Sequence, residues 1–136
     1  MRIVFVSPLG LKINANYESE LQVGAIEQQI FGLAKELSSK GHDTYIIRRW
    51  DNINGKNTID GVNFVNINFP VLQKDFTGRV SYFSLPIKLM EGLLYSQKVY
   101  KKITGLSPDI IHVSTLMDAY FVFRFHFTHS HKIYIT

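Results

Sequence analysis

The first feature that could handle a phosphate is a glycine at the start of a helical pattern. After Gly24, the residues Ile26, Ile30, Leu33, Ala34 and Leu37 fall on one helical face. A helix N-terminus presents free backbone N–H groups and a partial positive charge. Glycine there lets a phosphate approach the backbone closely. The same glycine also serves simply to turn the chain, and one glycine does not separate the two readings. No G-x-G-x-x-G follows the first apolar run and no P-loop occurs, so the dinucleotide and Walker-type sites are excluded.

Other chemistry-bearing residues each carry two readings. His112 lies in an apolar run, where it is either a satisfied structural histidine or a ligand contact. His126, His129 and His131 cluster, but at an expected helix end, where histidine complements the dipole; no metal site is assigned. Arg48 and Arg49 beside Trp50 could bind anions or stack on bases, with a solvated strand end as the plainer reading. Lys98, Lys101 and Lys102 read as a wet helix face or as attraction to anionic lipid. Phe69, Pro70, Phe76, Tyr82 and Phe83 make an aromatic loop suited to sugar rings, a lipid carrier or a packed lid. The chain has no cysteine, which excludes disulfides, thiol catalysis and Cys-ligated zinc.

These residues need elements to position them. The 136 residues, 46% hydrophobic and 19% charged, fit one globular domain spanning 1–136. The net charge of +4 alone does not argue for nucleic acid, and none is expected as a partner. Strands are expected over 2–7, 44–48, 62–69, 108–113 and 132–136, and helices over 24–40, 84–104 and 118–127. Residues 51–61 read as a polar turn, Gly41 and Gly105 as helix stops, and Ser84 as a cap. The alternation at 62–69, with Asn63, Asn66 and Asn68 between apolar residues, predicts a half-buried strand near the sheet edge. The order of elements predicts an α/β domain: a mainly parallel sheet of about five strands with helices on both faces. Ligands of such sheets bind beyond the carboxyl ends of the strands, where strand order reverses. The first strand and 108–113 are the natural flanking pair, which makes the loop from Ser7 to Gly24, and Ser114 with Thr115, the two walls of a cleft.

Two segments carry a family resemblance. One is Val23-Gly24-Ala25-Ile26-Glu27-Gln28-Gln29-Ile30, continuing to Leu33-Ala34-Lys35-Glu36-Leu37 and Lys40-Gly41-His42-Asp43. The other is Pro108-Asp109-Ile110-Ile111-His112. In order and separation they resemble the N-terminal domain of family 4 glycosyltransferases, with its glycine turn, its helix containing LA-x-x-L, its GH-acid lead-in to the second strand and its PD-x-x-H strand. The resemblance implies the Rossmann-like N-terminal half of a GT-B enzyme. That half mainly holds the sugar or lipid-linked acceptor, while a second domain holds the nucleotide-sugar donor.

By position, Gly24 and Ala25 inherit the turn that faces the donor diphosphate, although Ala25 stands where the family has a second glycine. Ser7, Leu9, Gly10, His112, Ser114 and Thr115 are the residues expected to line the cleft. The resemblance implies retaining transfer from a nucleotide-sugar, with no tightly bound cofactor and no metal. It also implies a cytoplasmic site of action, including the inner face of a membrane.

The family's T-x-H segment, its paired glutamates spaced E-x7-E and its donor domain do not occur in these 136 residues. The chain is therefore expected to be truncated at its C-terminal side and inactive alone, with no catalytic residue assigned. Lys132–Thr136 would be an edge prone to self-association. The rival readings are a non-catalytic sugar- or nucleotide-binding module and a fragment of a GT-B-type epimerase or phosphorylase.

Overall fold

The computed structural model describes residues 1–6, 25–49, 56–68, 85–113 and 132–135. The described elements are β1 (Arg2–Val6), α1 (Ala25–Ser39), β2 (Asp43–Arg49), β3 (Lys56–Ile59), β4 (Val62–Ile67), α2 (Leu85–Leu106), β5 (Ile110–Val113) and β6 (Lys132–Ile135). They build a six-stranded sheet in the order β3-β4-β2-β1-β5-β6. Five strands run parallel, and β3 pairs antiparallel with β4 at one edge. The expected helix over 118–127 lies outside the described residues.

β1 is apolar after Arg2 because both of its faces are covered. Ile3 and Phe5 pack with Ile30, Phe31 and Ala34 of α1, and Val4 and Val6 share a cluster with Tyr95, Val99 and Ile103 of α2. Each such buried aliphatic or aromatic side chain stabilises the fold by about 1.5–3 kcal/mol. The α1 stripe sits slightly round from the expected one: Phe31 is buried and Leu33 is 41% exposed.

Both helix ends are determined locally. At the end of α1 the Gly41 N–H donates to the Ser38 carbonyl (2.9 Å) and the His42 N–H to the Leu37 carbonyl (3.1 Å). Gly41 takes φ 86°. That is a Schellman closure, and it uses the expected glycine. The end of α2 differs from expectation, because the helix runs through Gly105. Ser107 instead adopts φ 47°, its N–H donates to the Ile103 carbonyl (3.1 Å), and Pro108 prevents continuation.

The polar segment read as a plain turn contains β3 and a tight hairpin. Asp60 (φ 51°) and Gly61 (φ 79°) are both left-handed, as a two-residue type I′ turn requires. The hairpin docks on the end of α1: Lys35 Nζ lies 2.7 Å from Asp60 Oδ2, and Ser38 Oγ donates to the Gly61 carbonyl at 2.9 Å. With β3 outside it, β4 is not an edge strand. Helices lie over both of its faces, so it is buried at nearly every position. Its asparagines are accommodated by hydrogen bonds. Asn63 accepts from Thr58 Oγ1 (3.0 Å) and donates to the Thr44 carbonyl (3.3 Å).

A substitution pair tests this hairpin. A Cβ on Gly61 would lie 2.5 Å from Ser38 Oγ, whereas one on Gly41 meets nothing within 4 Å. Both positions carry the left-handed penalty of about 1–2 kcal/mol. Gly61→Ala should lose roughly 1 kcal/mol more than Gly41→Ala in urea unfolding, because the Ser38 hydrogen bond must also break. Equal losses would show that the hairpin does not bear on α1.

The same amino edge of the sheet is also stitched by Arg2. Its Nε donates to Asp43 Oδ2 (2.9 Å), its main-chain N–H to Asp109 Oδ2 (2.7 Å), and its Nη1 to the Leu106 carbonyl. Main-chain bonds from Asp43 N to the Met1 carbonyl and from Asp109 N to the Arg2 carbonyl close the same edge, each at 2.9 Å.

Candidate functional site

The strand order reverses between β1 and β5, since the chain builds outward from β1 through β2 and β4 and then returns to β1's other side. This is the expected switch point. Phe5 pairs with His112 and Val6 with Val113 across it. α1 starts at Ala25 on the carboxyl side of the sheet and finishes near the amino edge, where Ser38 meets Gly61. Its free N–H groups therefore belong to the same edge as the strand ends.

Of the expected site residues, Ala25 is the first residue of α1 and His112 lies on β5. Ser7, Leu9, Gly10, Gly24, Ser114 and Thr115 lie outside the described residues, as do Trp50, Ser84, the aromatic loop, Thr136 and the histidines 126, 129 and 131. His112 projects to the α1 side: its ring centroid is 5.1 Å from that of Phe5, in a tilted contact. Burial pushes its pKa below the ordinary 6.5, so it is neutral in the folded protein at pH 7.

That shift has a consequence for stability. Unfolding lets His112 regain its proton once the pH falls below about 6.5. The folded state thus loses stability as pH drops from 7 toward the lowered folded-state pKa, and the loss is absent above that window. In urea titrations at pH 7 and pH 5, the wild type should lose more stability than His112→Gln. Parallel pH dependences would show that His112 is solvated.

The residue that the sequence reading placed wrongly is Arg48. It is not a solvated strand end: only 1% of it is exposed. Its guanidinium carbon lies 4.4 Å above the Phe64 ring, and Nε donates to Asn66 Oδ1 at 2.6 Å. Burial lowers its pKa to about 10, which leaves it charged at neutral pH. Thr44, Ile46 and Arg48 alternate onto the same face of β2. Arg48 pairs in register with Asn66 on β4. The signal was this period-two placement beside Phe64 and Asn66, and two adjacent arginines before a tryptophan obscured it.

On the α1 side of the sheet, toward its carboxyl edge, there are therefore a buried permanent cation on β2, a neutral imidazole on β5 and the positive end of α1. Arg48 and the helix start favour an anionic ligand over a cation, and the neutral imidazole contributes hydrogen bonding rather than charge. The described part of the edge holds no carboxylate suited to acid-base work.

No protein-family model matches the chain, and no curated protein matches it. Among solved structures it is similar to a sucrose-phosphate synthase from Thermosynechococcus elongatus, with a TM-score of 0.67 at 10% identity. The match covers 98% of this chain and 32% of that one, so the chain spans about a third of that protein's length. The fold is that of a Rossmann-like GT-B half. At this identity the likeness carries the glycosyltransferase fold and does not single out family 4. No helix among the described residues is long and apolar enough to cross a membrane.

Proposed function

We infer that this GT-B half belongs to a retaining, nucleotide-sugar-dependent glycosyltransferase and presents the acceptor to a donor held by a second domain. The observation that carries the reading is the convergence of the α1 start, Arg48 and His112 at the carboxyl edge of the sheet. Gly24 and Ala25 form the turn facing the donor diphosphate, and the positive end of α1 stabilises its charge. Ser7, Leu9, Gly10, His112, Ser114 and Thr115 line the acceptor side, where neutral His112 offers a hydrogen-bonding ring rather than a charge. Arg48 acts from below as a fixed cation, biasing the edge toward anions without needing to touch them. The donor is a substrate, and the proposal includes neither a tightly held cofactor nor a metal.

The test is nucleoside diphosphate release. The polypeptide carrying this domain together with a donor domain should release nucleoside diphosphate from a nucleotide-sugar only when acceptor is present. The 136-residue chain alone should release none. Turnover by the isolated chain would refute the division of labour. Saturable sugar binding with no release by the longer polypeptide would favour the non-catalytic module instead.

A further inference from the structure

The turn of the β3-β4 hairpin is Asp60-Gly61, a dipeptide with latent backbone chemistry. Gly61 has no side chain to shield its nitrogen, and the Asp60 carboxyl group stands one methylene from the main chain. In an open chain that nitrogen attacks Cγ of the protonated Asp60 carboxyl. The N–Cγ bond forms, the nitrogen gives up its proton and water leaves, which closes a five-membered imide. Water then adds at the main-chain carbonyl carbon of Asp60 and breaks its bond to the Gly61 nitrogen. The product is isoaspartate, in which the chain runs through Cβ and Cγ. One water is lost and one regained, so the mass is unchanged and no co-reactant is needed.

We propose that Asp60-Gly61 is an isoaspartate-forming site held in check by the docking of its hairpin on α1. Ring closure requires the Gly61 nitrogen to lie alongside Cβ about the Asp60 Cα–C bond. Asp60 (φ 51°) and Gly61 (φ 79°) form a type I′ turn. Its first central residue takes ψ of about 30°, which turns the nitrogen away from Cβ. That conformation is fixed from α1: Lys35 Nζ tethers Asp60 Oδ2 at 2.7 Å, Ser38 Oγ donates to the Gly61 carbonyl at 2.9 Å, and Ile59 packs against the cluster around Ile30 and Phe31. Both polar contacts are exposed, so the hairpin opens without the rest of the domain unfolding. Conversion lengthens the turn by one main-chain atom, and the Ile59–Val62 pair no longer closes a two-residue loop. β3 then comes away, and β4, whose Asn66 holds Arg48, becomes the edge of the sheet. This inference stands on the hairpin and not on the transferase reading.

Incubating the chain at physiological temperature and mildly acidic pH, then digesting it with trypsin, tests the proposal. Cleavage after Lys56 puts Asp60 in peptide 57–74 and leaves Asn54-Gly55 in another, so the two dipeptides are read separately. Chromatography with mass detection should show a second peak of peptide 57–74 at unchanged mass. It should grow slowly from the folded chain and much faster from the chain in denaturant. Ser38→Ala should speed its growth about fivefold, the weight of one hydrogen bond, and Lys35→Gln should speed it too. Val99→Ala loosens the core under α2 instead, and should speed it less than Ser38→Ala although it costs more global stability. Absence of the second peak even in denaturant would overturn the proposal. So would equal rates in wild type and Ser38→Ala, or a faster rate in Val99→Ala than in Ser38→Ala, since docking on α1 would then not control the reaction.

Discussion

Arg48→Ala is expected to lower the unfolding free energy by about 3 kcal/mol, a large share of what a domain of this size has. Two losses add. The apolar stem of Arg48 fills space among buried side chains, and its removal leaves a cavity. The guanidinium also satisfies Asn66 Oδ1 and lies on the Phe64 ring. Arg48→Met keeps most of the stem and should cost only about 1–2 kcal/mol, mainly from the lost donor to Asn66. Adding Asn66→Leu to Arg48→Met should restore part of that, because both partners of the buried polar pair are then gone. Urea unfolding of the single and double variants reads these differences directly. An Arg48→Ala variant within about 0.5 kcal/mol of wild type would mean that the side chain is a solvated strand end after all.

Ala25→Asp should separate folding from function with opposite signs. A carboxylate in the first turn of α1 complements the helix dipole and should raise stability by about 0.5 kcal/mol. The same charge beside a bound diphosphate repels it. At an effective dielectric for a surface site this costs at least about 2 kcal/mol, or roughly 30-fold in apparent donor affinity. Ala25→Asn, which adds similar bulk without charge, should lose far less. If Ala25→Asp lowers stability and leaves donor use unchanged, the α1 start does not face the diphosphate.

Much of the fold was legible in the sequence because burial on both faces leaves a plain mark. β1 and β5 read as short apolar runs, and α1 read as a periodic stripe closed by Gly41. The hairpin was not legible by apolar pattern, since Lys56–Ile59 is polar and its pairing depends on the left-handed Asp60-Gly61 turn. That dipeptide was the available signal. The end of α2 was misplaced for a related reason: Gly105 is tolerated inside the helix, while Ser107 accepts the left-handed conformation usually left to glycine.

The family resemblance was informative about architecture more than chemistry. Asp43 and Asp109, one from each matching segment, both bind Arg2 at the amino edge, away from the candidate cleft. What they specify is how β1, β2 and β5 align. Arg48 went unseen because its burial depends on β4 lying beside it, with Asn66 at the matching register position. The period-two pattern of β2 puts Arg48 on the face of Thr44 and Ile46, but it does not reveal the partner strand. The cleft residues beyond the strand ends carry no periodicity, so only the switch-point rule and the family resemblance could nominate them.

The central claim is that ligands bind at the carboxyl edge, between β1 and β5 and under the start of α1. Backbone amide shifts of the polypeptide carrying this domain together with a donor domain, labelled and followed while adding a nucleoside diphosphate, test it most directly. The account predicts perturbations concentrated at Val6, Ala25, His112 and Val113, with Arg2, Asp43 and Asp109 unmoved. Perturbations centred on the Arg2 edge, or none at saturating ligand, would contradict it.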